Sequence, residues 1–384
     1  MLPGALDGQS FGKPVIRALA SALTTVLVLQ VAACGAGAAS ISRSPTLTVV
    51  SPTAGQVAPL PAARARTASA KPIGLPAFQG GAIVYTTGND PSLLPSTRRL
   101  LDHLTTLNIN SVAFAYPLYQ SGWTATDVHA DPQKTPSTDL LRASIEWAHK
   151  RRLAVVLRPL IDDAPLMQTG HWRGQLQPTS VPAWFASYSA EIIASGRMAS
   201  DEGVAAIDIG TELASLQTYT QQWLQLIQSL RTVYSGKITY SSNWDVSVPA
   251  FASALDFISV DGFFPLSAPD SASTEQLVRA WQQWSAKLGQ IRSTFAKPVV
   301  LTELGTTSEV GSYRSPFNWK HAGGLSLEAQ RRYYEASCRA LKPVVSGMYW
   351  WAYYPWFDLA AGAQDPGYTP MGKPAEHEIK NCYQ

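Results

Sequence analysis

Histidine and cysteine are scarce in this chain, with six and three among 384 residues. No group of His, Cys, Asp and Glu shows the spacing of a metal site. No glycine-rich loop leads into a helix in the pattern that cradles phosphate. Metal-dependent and nucleotide-dependent chemistries therefore drop from the leading classes, and no cofactor is expected. Charge is also sparse, at 15% of residues. The whole chain is +3, but residues 1–75 hold six basic groups against Asp7 alone and are +5, so the remainder is −2. The basic excess thus belongs to the N-terminal tail and gives no case for a nucleic-acid surface.

What that tail does contain is a targeting pattern. Lys13 and Arg17 precede an apolar run from Ala18 to Ala33, too short and too rich in small residues for a good membrane span but laid out like an export signal. The run ends Val31-Ala32-Ala33-Cys34, which resembles a bacterial lipobox with Cys34 as the lipidated residue. Ordinary secretion and a retained anchor are the alternatives. Residues 1–33 thus read as a lipoprotein signal peptide and 34–75 as a disordered Ala/Ser/Pro-rich tether, unable to bury enough surface to fold. Residues 76–384 form the folded body, expected to be a monomer anchored to a bacterial membrane at the cell surface or on its periplasmic face. Export would place Cys338 and Cys382 in an oxidising setting, where a bridge would staple the tail to the body. Two free thiols are the other reading.

All 12 tryptophans lie between Trp123 and Trp356, within the body. There, short apolar β-branched runs alternate with longer amphipathic ones, the signature of βα units. Eight strand candidates result: Gly81 to Thr86, Ser111 to Tyr116, Ala154 to Arg158, Ala205 to Gly210, Lys237 to Ser242, Phe257 to Asp261, Pro298 to Thr302 and Ser346 to Trp351. Helical patterns fall at Ser96 to Leu107, Ser137 to Arg152, Pro182 to Glu202, Gln221 to Ser235, Thr274 to Phe295 and Ser326 to Leu341, with Thr274 and Ser326 as cap candidates. Eight such units close a single (β/α)₈ barrel of the α/β class, a fold of about 250 residues.

Active sites of such barrels form where the strands end. The fourth strand runs Ile207-Asp208-Ile209-Gly210-Thr211-Glu212-Leu213 and the seventh Val299-Val300-Leu301-Thr302-Glu303-Leu304-Gly305, so each apolar strand closes on one glutamate. A lone glutamate after a strand is usually a solvated loop residue. Two in the same barrel register, on opposite sides of the mouth, are what glycoside hydrolysis requires: one carboxyl protonates the leaving oxygen and the other attacks or activates water. Asn243, Asp162, Asp261 and Tyr119 end other strands and are candidates to hydrogen-bond sugar hydroxyls, with structural roles as the alternative. Arg158 is a candidate partner for a carboxylate at the barrel rim. Trp172 and Arg173, after the third strand, could offer a stacking face and a donor, or could simply stack on each other.

With these segments in place, the chain resembles glycoside hydrolase family 113, retaining β-mannanases of the clan A barrels, from about Gly81 to Pro355. The matching segments are Asp131-Pro132, Thr135-Pro136-Ser137, Trp172-Arg173-Gly174, Trp184-Phe185-Ala186-Ser187-Tyr188, Gly210-Thr211-Glu212-Leu213, Ser242-Asn243-Trp244, Phe264-Pro265-Leu266, Thr302-Glu303 and Tyr349-Trp350-Trp351. The resemblance implies Glu212 as acid/base and Glu303 as nucleophile, acting by double displacement on a β-linked polysaccharide or oligosaccharide. It also implies an aromatic floor from the eighth strand. Alternation lets only one of Trp350 and Trp351 face the mouth, and Trp350 is the expected one.

Several positions depart from the family. Phe263 stands where a tyrosine near the nucleophile is usual, Leu160 where a histidine is, Thr306 where a tyrosine is, and Thr211 where clan A commonly has asparagine. These changes leave three readings open: a β-mannan hydrolase, a hydrolase of another β-glycan, and a carbohydrate-binding lipoprotein with a degenerate site. An acid whose proton is held by a neighbouring negative charge predicts a bell-shaped rate profile on the acid side of neutrality.

Overall fold

The computed structural model describes residues 73–320 and 323–384. The signal peptide, Cys34 and nearly all of the tether lie outside the described residues. Eight parallel strands close on themselves in sequence order: β1 (Gln79–Tyr85), β2 (Ser111–Leu118), β3 (Ala154–Ile161), β4 (Ala206–Thr211), β5 (Lys237–Asn243), β6 (Ile258–Asp261), β7 (Val299–Leu304) and β8 (Gly347–Tyr353). β8 pairs with β1 and completes the ring. This is the (β/α)₈ barrel, with every expected strand present to within a few residues.

Helices α1 (Leu94–Thr106), α2 (Thr138–Lys150), α3 (Ala164–Met167), α4 (Val181–Glu202), α5 (Thr220–Arg231), α6 (Thr274–Phe295), α7 (Leu327–Leu341) and α8 (Ala375–Cys382) lie between and after the strands. The sequence reading missed α3 and α8, both too short to show a clear period. Caps set the helix starts where side-chain oxygens can take the orphan N–H groups. Ser326 Oγ accepts from Ala329 N at 3.2 Å. At α6 the cap is Ser273, one residue before Thr274, and Gln276 Oε1 accepts the Ser273 N–H at 2.8 Å to close a reciprocal box. α4 ends at Gly203, whose φ of 67° suits a residue without Cβ.

Two apolar layers divide the strands' side chains. Ile83, Ala113, Val156, Ala206, Val300 and Tyr349 fill the barrel interior, while the alternate residues join a larger shell under the helices. The helix shell is densely aromatic beneath β4. Trp184, Tyr188, Trp223 and Tyr240 are all buried, and Tyr188 donates to Ile209 O at 2.9 Å. A Cβ on Gly210 would stand 2.7 Å from the Tyr240 ring, so only glycine lets β4 lie this close to its support. The strand is thereby pinned two residues before Glu212. At the far end of the chain, Cys338 of α7 and Cys382 of α8 are joined by a disulfide, and the Tyr383 phenol donates to Met348 O at 2.6 Å.

Candidate active site

Glu212 follows β4 in the left-handed region, at φ 54°, a conformation that costs a side-chain-bearing residue energy. Its N–H donates to Ser241 O at 2.9 Å, which holds the turn against β5. Glu303 lies within β7, opposite Asp261 in the register, and its carbonyl accepts the Gly262 N–H at 2.6 Å. Both carboxyls are mostly buried, with side chains 12% and 7% exposed.

Between the strands sits Arg158, only 1% exposed. Nη1 donates to Asp208 Oδ2 at 2.9 Å and to Ser241 Oγ at 3.1 Å, and Nη2 donates to both oxygens of Asp261 at 2.9 and 2.8 Å and to Glu303 Oε1 at 2.7 Å. Thr302 Oγ1 donates to Asp261 Oδ1 at 2.9 Å and Ser241 Oγ to Asp208 Oδ2 at 2.5 Å. One guanidinium thus faces three carboxyls. Arg158 was expected at the rim, and instead it is the buried hub of the network that fixes Glu303. Asp261 was expected to bind sugar hydroxyls, yet it is fully buried and its oxygens are taken by Arg158 and Thr302. The sequence reading passed over Asp208, Ser241 and Thr302. An acid set between Ile207 and Ile209 was a readable signal, because a charge in an apolar strand needs a buried partner.

Burial raises the proton affinity of both glutamates. Glu212 is pushed up to about 8, first by burial and then by the charge of Asp261, with Arg173 pulling the other way. Glu303 is likewise raised, by burial and then Asp261, against the opposing pull of Arg158 and with Glu212 adding to the rise. The 2.7 Å hydrogen bond from Arg158 stabilises the anion of Glu303 directly, whereas Arg173 stands 3.8 Å from Glu212, too far to donate. The anion is thus supported by a direct hydrogen bond at Glu303, whereas the Glu212 carboxyl is held toward its protonated form chiefly by burial. Asp208 is raised to about 6, chiefly by burial.

The two tryptophans of β8 are placed the other way round from expectation. Trp350 is fully buried and stacks on Tyr334 of α7, centroids 4.1 Å apart, so it faces the helices. Trp351 is half-buried, packs with the barrel-interior layer and meets Tyr85 edge-on at 6.0 Å. Parity on β8 is set by Tyr349, whose phenol hydrogen-bonds Ser111 and Gln79 inside the barrel and sends its neighbour outward. Tyr85, Tyr354 and Trp356 extend the aromatic wall beside Trp351, with Trp356 exposed. The sequence reading did not identify this wall.

The remaining candidates are scattered around the rim. Asn243 ends β5 with its Oδ1 accepting from Trp244 N at 2.9 Å, so its carbonyl is turned onto its own turn. Asp162 Oδ1 accepts from Ala164 N at 2.9 Å and caps the loop. Tyr119 is buried with Lys134 over its ring, and burial with the charge of Asp162 raises its phenol. The Trp172 ring lies where a Cβ of Gly174 would be, so one indole face covers backbone. Phe263 meets the Tyr368 ring edge-on at 5.9 Å, and Leu160 belongs to the barrel interior. Thr306 donates to Ser312 Oγ at 2.8 Å, knitting the loop after β7. Thr211 is buried beside Glu212 with no partner for its Oγ1.

No curated protein matches the chain. Among solved structures, a GH113 β-mannanase from Alicyclobacillus acidocaldarius in complex with ManMIm is 25% identical, over 80% of this chain and 97% of its own, with a TM-score of 0.71. A GH113 β-1,4-mannanase is 22% identical, over 80% and 99%, at 0.70, and shares the fold. A β-glucuronidase from Ruminococcus gnavus, 13% identical over 80% of this chain and 50% of its own, shares the barrel at 0.51. The model of Glycoside Hydrolase Family 113 matches residues 92–373, most of the folded body and both glutamate-bearing strands, and the chain belongs to that family of glycoside hydrolases.

Proposed function

We propose that this hydrolase cleaves β-mannan or a closely related β-linked glycan with retention, Glu212 serving as acid/base and Glu303 as nucleophile. The observation that carries this reading is the asymmetry of the two carboxyls. Arg158 donates to Glu303 at 2.7 Å and favours its anion, while Glu212 is buried with no cation within hydrogen-bond reach and burial favours its protonated form. A nucleophile that is charged and an acid that is not are what the first displacement needs. Glu303 attacks the anomeric carbon as Glu212 protonates the leaving oxygen, and Glu212, now ionised, takes a proton from the water that releases the sugar. The half-buried Trp351, with Tyr85 and Tyr354, offers the apolar wall for a sugar face. Likeness to the GH113 β-mannanase from Alicyclobacillus acidocaldarius supports mannan as the substrate.

The N-terminal pattern ending at Cys34 supports an exported, lipid-anchored protein, and the Cys338–Cys382 disulfide fits an oxidising compartment. Purified protein is to be assayed on mannan, glucomannan, cellulose and chitin oligosaccharides, with the product anomer read by NMR. The β-anomer from mannan is expected, with turnover abolished in Glu303→Ala and spared in Glu212→Ala only for aryl glycosides with good leaving groups. Full activity of both variants on mannan would refute the assignment.

A further inference from the structure

Arg173 is the second guanidinium of the site, and it is held differently from Arg158. Its backbone N–H donates to Asp163 Oδ1 at 2.5 Å and its Nη2 meets Asp163 Oδ2 at 2.7 Å. On the other side its Nε stands 3.8 Å from Glu212 Oε2. The side chain is 15% exposed, and both Nε and Nη1 are buried without a hydrogen-bond partner. A guanidinium clamped by one carboxylate, with its unpartnered Nε beside another beyond hydrogen-bond reach, acts on the second through its charge.

We propose that Arg173 is a positioning residue that works through Glu212, with Asp163 as its anchor, and that the opposed charges of this pair decide at which pH the acid gives up its proton. The inference rests on Glu212 being the acid/base. Several groups face that carboxyl: Asp261 from β6, Arg158 from β3, Glu303 from β7, the Asp163–Arg173 pair from the loops after β3, and the phenols of Tyr240 and Tyr368. Arg158 and Asp261 also bind one another, and Arg158 binds Glu303, so neither can be changed without disturbing the nucleophile. Arg173 and Asp163 make no hydrogen bond to Glu303, on which the Arg173 charge acts only as the smallest of the named influences, and they push Glu212 in opposite directions, Arg173 downward and Asp163 upward.

The test is the pH dependence of kcat/KM on a mannan oligosaccharide, whose alkaline limb reports the acid of the free enzyme. Arg173→Met is expected to move that limb up by about one pH unit and Asp163→Asn to move it down, while Arg173→Lys, which keeps the charge, stays near wild type. A merely structural role would lower kcat at every pH without moving the limb. The idea is overturned if the Arg173→Met and Asp163→Asn limbs coincide with wild type or move in the same direction. Carbon-13 titration of the glutamate carboxyls reads the same two shifts without turnover. An inactive wild type would therefore sink the hydrolase reading while this one is still decided by the titration.

Discussion

Replacing Arg158 by methionine removes the one cation that directly bonds three carboxyls. Arg158 is 1% exposed, Asp208 and Asp261 are fully buried and the Glu303 side chain is 7% exposed, so water cannot take over. Breaking a buried pair by deleting one partner costs about 3–5 kcal/mol, and with three anions stranded the upper end applies. That is a large part of the roughly 5–15 kcal/mol that holds an ordinary domain together. The sign of the pH dependence follows. Without Arg158 the folded carboxyls bind protons more tightly than their unfolded counterparts, which titrate at about 4. Above that pH the folded state pays to stay ionised or to hold extra protons, so the deficit grows as pH rises and shrinks as pH falls toward 4. Asp208, already raised to about 6 with Arg158 present, marks the middle of this window. Urea unfolding of wild type and Arg158→Met at pH 7 and near pH 4.5 measures it. A loss under about 1 kcal/mol at pH 7, or one of equal size at both pH values, would refute the ion-network argument.

Three further outcomes follow from particular contacts. Trp350→Ala is expected to lose about 3–5 kcal/mol of stability because a fully buried indole leaves a void against Tyr334, with the folded fraction still turning over, whereas Trp351→Ala keeps its melting temperature and loses kcat/KM. Reducing the Cys338–Cys382 bond, which spans 44 residues, should cost about 4 kcal/mol by the chain-entropy estimate, read as a lower thermal midpoint in dithiothreitol that Cys338→Ala reproduces. His103 is raised above its usual value chiefly by its 2.8 Å hydrogen bond to Glu376, so its stabilisation is full below about 6.5 and lost as pH rises through the higher folded value. Melting curves at pH 6 and 8.5 should show a steeper decline in wild type than in His103→Gln, in which only the decline from the raised carboxyls remains.

The barrel was legible because each strand is an apolar run with a polar stop, and periodicity survives any local packing detail. Glu212 and Glu303 were legible for a related reason, each being the carboxyl at which a largely apolar strand closes. Arg158 and Asp261 were misplaced because a sequence shows that a charge sits near a strand end but not on which side of the barrel floor it lies. A one-residue difference in depth separates a solvated rim from a closed ion network. Trp350 and Trp351 failed on parity: alternation dictates that one faces inward, but the choice depends on the Tyr349 hydroxyl finding Ser111 and Gln79 across the barrel. Asp163 was invisible because its importance comes from Arg173, ten residues away and brought back by a loop.

Glu212 is one of four non-glycine residues with positive φ among the described residues. A glutamate at φ 54° gives up about 1–2 kcal/mol relative to an ordinary backbone, and its partly desolvated carboxyl adds to that debt. Glycine at this position would relax the turn and, on the proposed mechanism, remove the acid at once, giving a protein that melts at a higher temperature but no longer cleaves mannan. Selection for thermal robustness alone would therefore act against the very carboxyl proposed as the acid.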